Sequence, residues 1–233
     1  MTKPPRRSPI KRTIDEDELI ASQIRLSPGK SPKKFLQVGI VTCSLDHVTL
    51  IDETIRTKER SRLTMSLIKS YSLFQRLTFI PLVPGKDTPP VPGTLVLTKS
   101  ILAEDSDLLT AHSAEYVDAI KRSKEDAFED EFGLSYDCPP QDDLYERCTL
   151  IAGSTLSAAR TLTSGKLKVA INWHGGWHHA RRGEAAGFCY VNDINIAIKH
   201  LLLYSKRFLY HMSGTRVAVP VLFYWSAFIV IVA

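Results

Sequence analysis

Acidic residues stop at Asp193: no Asp or Glu occurs from residue 194 to residue 233. That stretch therefore supplies no carboxylate ligand for a metal ion. Cysteine is scarce. The four cysteines, Cys43, Cys138, Cys148 and Cys189, show no Cys-x-x-Cys spacing, which excludes a zinc ribbon or a thioredoxin-type redox motif. The N-terminus has no secretory pattern, so these residues are expected to be reduced thiols of a nuclear or cytosolic protein. A basic nucleic-acid face is also missing. Residues 1–34 hold nine Lys/Arg against four acids, a surplus of five that equals the net charge of the whole chain. The pI of about 9.0 thus belongs to a tail, and the remaining chain is neutral; no direct nucleic-acid binding is expected. A composition of 44% hydrophobic and 24% charged residues is that of one ordinary globular core.

The Pro-, Ser- and Lys/Arg-rich residues 1–34 have too little apolar surface to offset the entropy of ordering, and are expected to be a disordered tail. Phe35 to Cys43 is apolar and β-branched, the pattern of a buried strand. Leu63, Ser66, Leu67, Ser70, Tyr71 and Phe74 recur at helical spacing and predict a helix over 62–77. Prolines mark loops over 81–92 and 134–141. Helices are predicted at 111–123 and 144–162. The small residues Ala152, Gly153, Ser157, Ala158 and Ala159 suit the second to close packing, and Gly165 ends it. Lys168 to Trp173 predicts a short strand buried on both faces. Asn192 or Asp193 then caps a helix whose stripe is Ile194, Ala197, Ile198, Leu201 and Leu202. Alternating helix and strand predict an α/β fold with a mainly parallel sheet flanked by helices.

The most specific stretch is Asn172-Trp173-His174-Gly175-Gly176-Trp177-His178-His179, running on through Glu184 and Gly187-Phe188-Cys189-Tyr190-Val191-Asn192-Asp193. Two adjacent imidazoles follow a strand end and a double glycine that permits a sharp turn. In parallel α/β sheets, ligands bind at the carboxyl ends of strands. Neighbouring residues are expected to point apart, which makes joint metal ligation by this pair unexpected.

This stretch, with His112-Ser113-Ala114-Glu115-Tyr116 and Gly133-Leu134-Ser135-Tyr136-Asp137-Cys138-Pro139, resembles class I zinc-dependent histone deacetylases. Trp177 and Tyr136 resemble the histone deacetylase 8 branch. The resemblance implies the N-terminal part of the arginase/deacetylase fold over 35–210 and zinc-dependent hydrolysis of acetyl-lysine. It implies that His179 is the general base and acid and that His178 is its electrostatic partner. Asp137 resembles a rim carboxylate that holds substrate backbone, while Gly187, Phe188 and Trp177 resemble substrate-binding residues, the first two in the tunnel wall. Arg60 falls where the family keeps an internal-channel arginine. Implied partners are acetylated histones or other acetyl-lysine proteins, in nucleus and cytoplasm, with a role in chromatin and transcription.

After Arg207–Tyr210 the family continues into an Asp-x-Asp-x-His-His-Gly-Asp-Gly strand end that binds zinc. Here the chain reads His211-Met212-Ser213-Gly214-Thr215-Arg216 and then an uncharged run to Ala233. The expectation is a divergent apolar tail over 211–233 on a truncated family member that binds no zinc and is catalytically incomplete. Alternative readings are a non-catalytic binding fragment and an acetylpolyamine-type amidohydrolase. The tail reaches the lower length limit of a membrane-spanning helix, but Pro220 and its β-branched residues favour a self-associating strand over an anchor.

Overall fold

In the computed structural model, the described residues are 38–42, 45–53, 59–81, 102–123, 131–204, 209–219 and 222–232. The chain divides into two units, residues 1–31 and 32–233. All of the first, and with it the predicted disordered tail, lies outside the described residues, as does most of the 81–92 loop.

Five strands form one sheet: β1 (Val38–Thr42), β2 (Thr78–Pro81), β3 (Val169–Asn172), β4 (Leu209–Val219) and β5 (Leu222–Val232), in the order β2-β1-β3-β5-β4. The first three are parallel, with Gly39 opposite Thr78 and Val38 opposite Val169. Strand β5 then runs antiparallel to β3, pairing Val169 with Val232 and Asn172 with Ile229, and β4 closes a hairpin with β5. The apolar C-terminal run is therefore strand, and it covers the β3 edge. No described helix is long and apolar enough to cross a membrane.

The helices are α1 (Leu45–Asp52), α2 (Arg60–Ser70), α3 (Asp105–Leu108), α4 (Ala114–Lys121), α5 (Leu144–Thr163) and α6 (Asp193–Leu202). Helix α5 is buried along nearly its whole length and packs on α6 and β3. Its hydroxyls are satisfied inside the helix: Ser154 donates to Ile151 O at 2.7 Å, Ser157 to Gly153 O at 2.8 Å and Thr161 to Ser157 O at 2.7 Å. That removes the cost of burying so many polar side chains. Gly165, at φ 71°, ends the segment as expected.

Helix α2 ends earlier than the expected 62–77 segment, which finishes in a separate 3-10 turn over Leu73–Arg76. Leu63, Leu67 and Tyr71 face outward, and the buried positions are Ser61 and Ile68. A heptad spacing defines that inner face. The helix start is fixed from outside it: both Asp52 carboxylate oxygens accept backbone N–H groups, from Ser61 at 2.8 Å and Arg62 at 2.9 Å. This borrowed cap turns Arg60 inward and the longer apolar stripe outward.

Candidate active site

At the carboxyl end of β3 the backbone leaves the sheet through His174-Gly175-Gly176, over a buried polar network. Asn172 Nδ2 donates to Ser154 Oγ at 2.8 Å and to Thr155 Oγ1 at 3.0 Å, while its Oδ1 accepts the His174 N–H at 3.0 Å. Asp193 accepts from Trp177 N at 2.7 Å, from Gly176 N at 3.0 Å and from the Thr155 hydroxyl. Burial raises the Asp193 pKa and these three donors oppose the rise. The space above the carboxylate is closed: a Cβ at Gly175 would fall 2.2 Å from Asp193 Oδ2 and 2.4 Å from Thr155 Oγ1. Gly176 adopts φ 107°, which a side chain opposes.

Arg60 lies beneath this turn, half-buried, with Nη2 3.5 Å from Gly175 O. Desolvation lowers its pKa, and the charges of Asp52 and Asp193 restore part of the shift. His174 is fully buried. Burial first, and the Arg60 charge second, pull its pKa down to about 4, so its ring is neutral at pH 7.

Contrary to the expectation that neighbouring side chains point apart, the His178 and His179 rings lie against each other, with centroids 3.9 Å apart and planes tilted by 39°. His178 Nδ1 faces Gly176 O at 3.1 Å, so a backbone carbonyl sets that ring's tautomer. His179 is exposed on its other side. Partial burial and the neighbouring His178 lower its pKa, favouring the neutral, proton-accepting ring. Gly187, at φ 53°, presses its backbone against His179: a Cβ there would sit 2.8 Å from His179 Cγ. Gly187→Ala is expected to displace the His179 ring and cost about 1–2 kcal/mol for the left-handed backbone. A urea-unfolding midpoint that does not move would contradict this.

Phe188 is half-buried at φ 64°, a strained value for a bulky residue. Asp137 and Tyr136 are exposed on the loop before α5, Tyr136 almost completely, at 96%. That loop is tied to the histidine segment by Tyr190, whose hydroxyl donates to Pro139 O at 2.7 Å and accepts from Gln141 Nε2 at 2.8 Å. Trp177 is buried against Tyr190, with ring centroids 5.6 Å apart, so it supports the loop from below. The buried free thiol of Cys189 has its pKa pushed up to about 12 and is not a thiolate nucleophile.

The structure thus brings His178, His179, Gly187 and, beneath them, Arg60 to one strand end. Asp193 and His174 belong to the same site and were not singled out by sequence pattern. As a first-turn acid, Asp193 reads in the sequence as an ordinary helix-start residue. Among the described residues, no group of three or more His, Cys, Asp or Glu is placed to hold a metal ion.

The histone deacetylase domain family matches residues 57–215. Histone deacetylase clr6 of Schizosaccharomyces pombe is 38% identical over 157 residues, covering 65% of this chain and 34% of that protein. Histone deacetylase 8 of Xenopus tropicalis is 31% identical over 185 residues, covering 74% of this chain and 45% of the relative. Histone deacetylase RPD3 of Saccharomyces cerevisiae is 34% identical over 157 residues, covering 65% and 32%. The chain spans about a third to just under half the length of these relatives.

Proposed function

Because the chain belongs to the histone deacetylase family across residues 57–215, we propose that it carries the proton-transfer and substrate-holding half of an acetyl-lysine amide hydrolase. The observation that carries this reading is the stacked His178–His179 pair at the carboxyl end of β3, with Gly187 against the outer ring. A neutral His179 takes a proton from the attacking water and returns one to the leaving amine. His178, oriented by Gly176 O, helps keep His179 in the neutral, proton-accepting form. Exposed Asp137 is suited to accept hydrogen bonds from substrate backbone at the rim, and Gly187 with Phe188 to flank a lysine stem. Acetylated histones or other acetyl-lysine proteins are the substrate class, and a nuclear and cytoplasmic role in transcription follows from the same reading.

Zinc, implied for the family, does not fit the described residues. Asp193 has both carboxylate oxygens occupied by donors below the loop, and adjacent His178 and His179 do not complete a three-ligand set. The proposal is therefore that this chain by itself holds no catalytic zinc and does not turn over acetyl-lysine. The non-catalytic reading, a family fragment that binds a partner, is favoured by the same donor set.

Elemental analysis and an acetyl-lysine peptide assay test both statements. The expected result is less than a tenth of an equivalent of zinc and no turnover. One equivalent of zinc with turnover abolished by His179→Ala would overturn the claim of incompleteness and support the histidine roles. Turnover unaffected by His179→Ala would overturn those roles.

A further inference from the structure

We propose that Asn192, latched by His112, is the positioning residue for His179. The Asn192 side-chain amide donates to the carbonyls on both sides of that histidine, to His178 O at 3.2 Å and to Ala180 O at 2.9 Å. The other end of the same amide accepts the Asn195 N–H at 2.9 Å and caps α6. This leaves one orientation: reversing the amide would set its oxygen against two carbonyls and its NH2 against an N–H. The backbone is held as well, since Asn192 N donates to His112 Nε2 at 2.9 Å.

His112 accepts at Nε2, so its proton sits on Nδ1. Its ring is buried and packs on Tyr116, with centroids 5.3 Å apart. Tyr116 in turn donates through its hydroxyl to Tyr190 O at 2.7 Å. The far side of the histidine segment is tied to the same corner by Ser113 N, which donates to Arg182 O at 2.9 Å. The start of α4 and the start of α6 therefore hold residues 178–182 between them. His179 gains a fixed backbone while its ring stays open on one side. The functional meaning of this clamp rests on the proton-transfer reading of His179; the clamp itself does not.

The test separates the two. Asn192→Ser keeps an effective helix cap and removes both amide donors. The probe is the Gly187 Hα resonance in a proton–carbon NMR spectrum of the full chain, because the glycine backbone lies against the His179 ring. His179→Ala sets the reference without a ring current. In the parent chain Gly187 Hα is expected to be displaced from that reference. Asn192→Ser is expected to lose at least half of the displacement while α6 amides stay protected from exchange. Asn192→Asp, which also caps strongly but cannot donate, is expected to do the same. Full displacement in either folded variant would overturn the proposal. So would global unfolding of both, which would make Asn192 a structural residue only. The signal needs no turnover, so it fails independently of the proposed activity, which His179→Ala tests in the assay.

Discussion

Asp193→Ala is expected to cost roughly 3–5 kcal/mol of folding stability, the scale for removing one partner from a buried charged network. The carboxylate accepts the Gly176 and Trp177 N–H groups and the Thr155 hydroxyl; alanine leaves both buried N–H groups without an acceptor and Thr155 with only Ile151 O at 3.5 Å. It also removes one of the two carboxylate charges that oppose the desolvation of the Arg60 guanidinium. Domains are usually stable by only about 5–15 kcal/mol, so the variant sits near the unfolding limit. Asp193→Asn is expected to fare little better, because its NH2 group would face donors. Urea unfolding at pH 7 measures the effect. A loss under about 1 kcal/mol for Asp193→Ala would show that the network is not coupled to global folding.

Acidification is expected to destabilise the chain through His174 between about pH 6.5 and pH 4. In the unfolded chain the imidazole titrates near its ordinary value of about 6.5. In the folded chain, burial and Arg60 hold it down to about 4. Above the higher value both states are neutral and the residue contributes no pH dependence. As pH falls through the window, the unfolded state takes up a proton that the native state refuses, and stability drops. At about 1.4 kcal/mol per pH unit, the full loss is about 3 kcal/mol. Buried His112, whose pKa is also lowered, adds in the same direction, so the comparison must be made against a His174→Leu variant. The parent is expected to lose about 2 kcal/mol more than His174→Leu between pH 7 and pH 4.5. Parallel stability curves would remove His174 as the cause.

Periodicity made several elements readable. The β-branched run gave β1 within its predicted bounds of 35–43, and β3 and α5 fall where the 168–173 and 144–162 patterns placed them. The inner stripe of α6 holds for Ile194, Ala197 and Leu201, while Leu202 is exposed and Ile196 is buried instead. Helix α2 was legible as a helix but not in its orientation. A stripe says which residues share a face; only packing says which face meets the core. Asp52, eight residues before the start of α2 and in a separate helix, made that choice by capping Ser61 and Arg62. The antiparallel β5 on β3 was equally hidden, since an apolar run states that it needs cover and not which edge supplies it.

Sequence by itself determined the motif: two histidines after a strand and a double glycine, Asp137 in a proline-marked loop, the Gly187-Phe188 pair, and the family they belong to. Those are local facts, carried by residue type and spacing along the chain. Tertiary structure alone decided what holds them. Asn192 reaches His112 across 80 positions and Asp193 reaches Thr155 across 38. Hydrogen bonds of that span depend on how α4, α5 and α6 converge on one strand end. That convergence is set by core packing and by the need to pair every buried donor, neither of which has a period that a sequence can display.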